Sequence, residues 1–247
     1  LVSCDVLALQ KDIVDDLCEE IEEETGIPHE NILVTATHTH HAPTTVSVHG
    51  YERDNGFCEN LRNSAIAAAS EAARRLDFAD GIRMRFGLGQ EDTVGQNSRL
   101  LLRDGTIYWV GTREDALKPT GPVDPGLPVI SFEGSRGRLE ALLFCHSAHN
   151  IGTRIGGARS PGFYGLAAQE LERTLGGTVL FLPGSFGSTH NLILRPCDMI
   201  SRIRKTIEKT LSESKQIEPS TIVSIKSELE YRVRRFDEEA EDEAVSR

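Results

Sequence analysis

The chain predicts an α/β fold, a layered sandwich of mixed β-sheet flanked by helices, and three observations carry that expectation. Apolar runs of strand length alternate with longer segments whose apolar positions recur at helical spacing, the rhythm of strand–helix–strand units. At 247 residues the chain is long enough to bury a substantial core. Three of the strand-like runs open into polar, histidine-bearing loops, and sites in open α/β sheets gather at the carboxyl ends of strands.

The elements follow in order. Positions 1–9 are apolar and strand-like. Over 11–25, Ile13, Val14, Leu17 and Ile21 fall at helical spacing, and Gly26 is a natural stop. A strand is expected over 32–37, an alanine-rich amphipathic helix over 60–76 and an alternating strand over 81–89. Leu100-Leu101-Leu102 and 106–110 flank Arg103-Asp104-Gly105, a hairpin signal. Positions 119–128 read as loop, with Asp124-Pro125 as a turn. Strands follow over 129–132 and 139–146, then a helix over 163–175, a buried strand over 178–182 and a helix over 197–212. The expected organisation is one catalytic-type unit over 1–247, incomplete at both ends, with an acidic tail over 237–247.

Composition narrows the function classes. A hydrophobic content of 38% with 26% charged residues is that of a globular chain. No apolar run reaches the ~20 residues of a membrane-spanning helix. The net charge of −11 argues against nucleic acid as a partner, since phosphate binding rests on basic surface. Five dispersed cysteines without CxxC spacing do not form a disulfide framework. The start at Leu1, inside a strand-like run, reads as a piece of a longer protein and leaves localisation open.

Three segments carry chemistry. The first is Thr37-His38-Thr39-His40-His41 after Ile32-Leu33-Val34. In extended chain, residues two apart share a side, so His38 and His40 are expected to face one cleft and His41 to point away. Imidazole is a common zinc ligand, although a strand-end histidine can equally bond a backbone carbonyl. The second is Leu142-Leu143-Phe144-Cys145-His146-Ser147-Ala148-His149-Asn150, a strand that presents His146 at its end. His146 reads either as a core histidine or as a partner of His38 on one metal; His149 either lines the site or caps a turn. The third is Leu182-Pro183-Gly184-Ser185-Phe186-Gly187-Ser188-Thr189-His190-Asn191, where glycines allow close backbone approach to a ligand. Trp109 beside Tyr108 reads as packing.

These stretches resemble the neutral/alkaline, non-lysosomal ceramidase family. THTHHAP is similar to that family's THTHSGP signature; GPVDPGLPVISFEGSRGRLEALLFCHSAHN to its Asp-Pro, strand, turn and strand ending in a zinc-binding histidine. RSPGFYG and LPGSFGSTHN resemble the segments that follow, and VGQNSRLLLRDG its Asn-Arg segment. The resemblance implies a zinc-dependent amidohydrolase acting on an N-acyl sphingosine or another small-molecule or lipid-like amide. It implies His38 and His146 as ligands of Zn²⁺, and His40 as a catalytic residue beside the metal that contacts the substrate or polarises the scissile carbonyl, with His40 or His190 to shuttle the proton. Arg99, His149 and Gly187 are implied on the substrate side, and Thr189 and His190 where the family's loop carries a serine. Two departures stand out. Asn97-Ser98-Arg99 shifts the arginine by one position, and the family's further ligands, a glutamate and a tyrosine, fall beyond this stretch. Two other readings accompany it: a relative with a degraded site that binds without turnover, and a metal hydrolase for an ester, lactone or sugar-linked substrate.

Overall fold

A computed structural model describes residues 1–48, 50–76, 81–109 and 113–218, together with 221, 223–227, 229, 230, 232 and 237. Apart from Asp237, the acidic tail expected over 237–247 lies outside the described residues, as does Val110 at the end of the expected hairpin.

The elements run β1 (Val2–Cys4), α1 (Lys11–Thr25), β2 (Val34–Ala36), α2 (Asn55–Leu76), β3 (Arg83–Gln90), β4 (Gln96–Asn97), β5 (Leu100–Leu102), β6 (Ile107–Tyr108) and β7 (Ala116–Pro119). They continue with β8 (Gly126–Glu133), β9 (Leu139–His146), α3 (Gly162–Leu175), β10 (Thr178–Pro183), β11 (Thr189–His190), α4 (Pro196–Glu213) and β12 (Lys215–Ile217). This is the α/β architecture expected. The main sheet is mixed, in the order β10-β9-β8-β3-β12, with β10 parallel to β9 and the other pairs antiparallel. A short parallel pair, β1 and β2, adjoins it, and Ser3 Oγ donates to the Phe181 carbonyl at 2.9 Å to tie β1 to β10.

Period-two alternation sorts the sheet's faces. Leu127 and Val129 of β8, Leu142 and Phe144 of β9, and Val179 and Phe181 of β10 turn to one side. There they form the principal core with Phe163, Tyr164 and Leu171 of α3 and Ile203 and Ile207 of α4. Each such side chain, fully buried, contributes roughly 1.5–3 kcal/mol. Helices α1 and α2 build a smaller core with Val2 and Val34, using Ile13 and Leu17. Helix α1 ends where expected: Gly26 adopts a left-handed φ of 71° and its N–H returns to the Glu22 carbonyl.

The differences from expectation have local causes. The first strand stops at Cys4 because the Val6 N–H turns back onto the Cys4 carbonyl at 2.8 Å. Helix α2 starts five residues early, at Asn55, because Asp54 Oδ1 accepts the Phe57 N–H at 2.9 Å as an N-cap. No helix among the described residues is long and apolar enough to cross a membrane.

One polar clamp joins the strand ends to the helix layer. Asn150 Nδ2 donates to the Thr37 carbonyl at 3.1 Å, at the end of β2, and to the Pro161 carbonyl at 3.0 Å, at the start of α3. Gly162 sits against it with φ of 74°, and any side-chain carbon there would lie 2.0 Å from Asn150 Oδ1. That position tolerates glycine alone.

Candidate metal centre

The Thr-His-Thr-His run leaves β2 with its side chains sorted. Thr37 and Thr39 turn inward and are buried. Thr37 Oγ1 donates to Asp5 Oδ1 at 3.1 Å and Thr39 Oγ1 to the Ser160 carbonyl at 2.8 Å. His38 and His40 turn the other way, their ring centroids 4.9 Å apart. The alternation expected of an extended chain is therefore realised, although β2 itself ends at Ala36 and His38 holds a left-handed φ of 58°. A non-glycine residue in that region is strained, and such strain collects at functional sites. His41 points away and its Nε2 accepts the Gly152 N–H at 2.9 Å.

The third imidazole is His149, from the loop after β9. Its ring lies 5.0 Å from that of His38 and 5.6 Å from that of His40. One ligand atom from each of His38, His40 and His149 falls within 4.8 Å of the others. The hydrogen bonds of two of these rings preset them for a cation. His38 Nδ1 bonds the Leu7 carbonyl at 2.8 Å, and His149 Nδ1 bonds the Phe186 carbonyl at 2.8 Å. A carbonyl only accepts, so both Nδ1 atoms carry the proton and both Nε2 lone pairs are free. Histidines that bind metal characteristically donate their other N–H to a carbonyl or carboxylate in this way.

Charge state agrees with that reading. Partial burial and repulsion from His149 lower the pKa of His38 despite its bond to Leu7. His40 keeps an exposed edge, yet partial desolvation, followed by repulsion from His38, His149 and His41, pushes it down to about 4. Burial likewise lowers His149. All three rings are therefore neutral at pH 7, the form that binds a metal. Metal bonds to imidazole are short, ~2.0–2.1 Å for zinc, so an ion here would draw the three rings inward, and an all-imidazole donor set suits a first-row transition metal.

His146 lies outside this cluster. It is fully buried at 0% exposure. Its Nε2 donates to the Glu91 carbonyl at 2.8 Å and its Nδ1 lies 2.5 Å from the Tyr164 hydroxyl, so neither nitrogen has a lone pair to offer a metal. Burial also lowers its pKa, keeping it neutral. His149, three residues on and expected on the substrate side, is the third imidazole of the trio.

The Gly-rich loop completes the surroundings. β11 pairs antiparallel with β4, Thr189 opposite Asn97 and His190 opposite Gln96, bringing the loop onto the Asn97-Ser98-Arg99 segment. The His190 ring stacks on His149 with centroids 3.9 Å apart. Its Nδ1 is 2.9 Å from Ser98 Oγ. Burial, then the neighbouring His149 and Arg99, press His190 to about 4. Thr189 is buried, and its carbonyl accepts the His149 N–H at 2.8 Å. The Gly187 carbonyl accepts from Arg99 Nη2 at 3.3 Å. Phe186, which the sequence did not single out, rests its ring 4.6 Å from His38 and 5.0 Å from His149. Trp109 is not packing: it is 70% exposed, with the Arg99 guanidinium 3.7 Å above its ring.

The depressed imidazoles set a pH dependence. In the unfolded chain each titrates near 6.5, while folded His40 and His190 do so near 4. Between those values the unfolded state binds more protons, so stability falls as pH drops through that window. The metal-free protein is expected to melt at a lower temperature at pH 5 than at pH 7.5, with the share from exposed His40 trimmed by solvent screening. An unchanged midpoint in scanning calorimetry would contradict the depressed titration of these two rings.

No family model and no curated protein matches the sequence. Among solved structures, the neutral ceramidase from Pseudomonas aeruginosa aligns with a TM-score of 0.64 at 19% identity, over 85% of this chain and 36% of that one. A ceramidase complexed with C2 aligns with a TM-score of 0.63 at 18% identity, over 85% and 35%. The chain thus spans about a third of the length of the ceramidases it matches. It has a ceramidase-like fold, and on that fold three histidines stand close enough to hold one metal ion.

Proposed function

We propose that this chain is the metal-bearing part of a zinc-dependent amidohydrolase whose substrate class is N-acyl lipid amides of the ceramide type. The observation that supports the reading most is the trio His38, His40 and His149 on a ceramidase-like fold, with two rings already turned to offer Nε2. These three residues would hold the ion. Zinc held there would polarise a carbonyl and lower the pKa of water to ~7.

The remaining residues take roles that follow from their contacts. Arg99 Nη1 donates to Ser98 Oγ at 3.2 Å, and Ser98 Oγ donates to the Ser188 carbonyl at 3.1 Å. Ser98 then accepts from His190 Nδ1, which leaves His190 Nε2 as a base beside the trio. Neutral at pH 7, His190 takes a proton from the attacking water and returns it to the departing amine. Thr189 and Gly187 act through their carbonyls, one fixing His149 and the other Arg99. Arg99, spread on Trp109 at the rim, positions the polar part of the substrate.

The test is turnover of a fluorogenic N-acyl sphingosine by zinc-loaded protein, beside short amides and esters. His190→Ala is expected to lower kcat by roughly 10²–10⁴-fold with zinc stoichiometry unchanged. Turnover of esters alone would point to a different hydrolase. The buried side chain of Thr189, at the place of the family's loop serine, favours a second reading in which zinc is bound without catalysis. Stoichiometric zinc with no turnover of any substrate would establish that one.

A further inference from the structure

A cavity of about 750 Å³ opens at the end of the main sheet where β3, β9 and β10 finish. None of its lining residues belongs to the imidazole trio. Its volume is that of a small-molecule site. Strand alternation builds it. Cys145 and Ser147 are set opposite to Phe144 and His146, so they turn away from the helix-packed core. Gly184 keeps the hollow open: a side-chain carbon there would lie 2.4 Å from Ser147 Oγ and 3.3 Å from Cys145 Sγ.

The lining selects a ligand by charge and by hydrogen bonding. Ser147 is only 1% exposed, yet among the described residues its hydroxyl has no hydrogen-bond partner, and it faces the cavity. A buried hydroxyl left unpaired is costly, and a ligand that bonds it recovers that free energy. Asp124, exposed at the rim, is the one charged side chain of the lining. Its Oδ1 accepts the Gly126 N–H at 2.9 Å, and no cation among the described residues pairs with it. Its field is felt inside: after burial, Asp124 is the next influence that raises the Cys145 thiol. Leu88, Pro125, Pro128 and Pro183 supply an apolar wall, and no Lys or Arg is present to receive an anion. We propose that this cavity binds a primary ammonium group carried on an apolar chain. An ammonium has three donors and no acceptor, which suits a carboxylate and a hydroxyl that both accept. The chain then runs along Leu88 and Pro128, which stand opposite each other on β3 and β8. Hydrolysis of an N-acyl lipid amide by water yields a carboxylate and such an ammonium, so the cavity is a site for the amine product. That link to turnover rests on the hydrolase reading; the binding itself does not.

The experiment is calorimetric titration of the full chain, at neutral pH, with octylamine, octanol and octanoate, which share one chain and differ in head charge. Octylamine is expected to bind at one site, octanol roughly tenfold more weakly for want of the charge-assisted bond, and octanoate not at all. Asp124→Asn keeps an oxygen for the Gly126 N–H and removes only the charge. It is expected to bring octylamine down to the level of octanol, with circular dichroism and zinc stoichiometry unchanged. A second readout needs no variant. Cys145 lines the cavity and Cys197 stands exposed at the start of α4. Octylamine should slow alkylation of Cys145 and leave that of Cys197 unchanged, while octanoate should slow neither. Octylamine that binds no tighter than octanol, equal affinity in Asp124→Asn, or protection of Cys145 by octanoate overturns the proposal. Turnover of N-acyl substrates without amine binding removes the cavity site alone. Amine binding without turnover of any substrate removes the hydrolase reading and leaves the cavity site standing.

Discussion

Replacing His149 with alanine is expected to abolish stoichiometric zinc binding, and His38→Ala to do the same. Each variant removes one of two nitrogens whose lone pairs are preset by a carbonyl on the far side of the ring. Outer-sphere partners of a zinc ligand typically contribute 10–100-fold in affinity, so loss of a ligand itself should exceed ~100-fold. Hydrolysis should fall with it. His149 carries a further load, since its ring supports His190 by stacking. A more conservative change, His149→Gln, keeps a polar group of similar reach but lacks the imidazole and should also lose zinc. Equilibrium dialysis with metal analysis reads both results. Retention of one zinc per chain by His149→Ala would remove this residue from the centre.

His146→Ala is expected to do the opposite: to cost stability and spare the metal. The substitution opens a cavity in the principal core and strands two buried polar groups, the Tyr164 hydroxyl and the Glu91 carbonyl. Cavity formation and unpaired buried groups together cost roughly 3–5 kcal/mol. For a chain of this length, ~2–4 °C per kcal/mol gives a fall in Tm on the order of 10 °C. Zinc stoichiometry of the folded variant should stay at one, because neither nitrogen of His146 faces the trio. The discriminating outcome is the pairing of effects. A variant that melts normally but loses zinc would return His146 to the ligand set.

The histidine exchange shows how much of the site was readable beforehand and where reading stopped. Strand β9 has the bounds its apolar run implied, 139–146, and within it Leu142, Phe144 and His146 are two apart. Alternation alone therefore places His146 on the face of Leu142 and Phe144, the core face, and that signal was present in the sequence. His149 lies beyond the strand, where no periodicity fixes a direction; only the turn held by the Phe186 and Thr189 carbonyls does so. The same limit hid the contact between the Gly-rich loop and Ser98, which rests on two-residue strands, β4 and β11. Pairs that short carry no pattern. Arg99 and Trp109 come from opposite arms of the predicted hairpin, and their stacking follows from its register, Leu100 opposite Tyr108. By contrast α1, α3 and β9 declare themselves through long periodic runs ended by a glycine or by a change in hydrophobicity. The threonines of the THTH run were legible only in part. Their alternation with histidine was plain, but the acceptors that pull them inward, Asp5 and the Ser160 carbonyl, come from distant segments.

The most direct measurement is anomalous scattering at the zinc edge from crystals of the zinc-loaded protein. The expected result is one peak per chain within bonding distance, about 2.0–2.1 Å, of nitrogens from His38, His40 and His149. A peak coordinated by His146, or zinc scattered over surface carboxylates with the three rings empty, would contradict it.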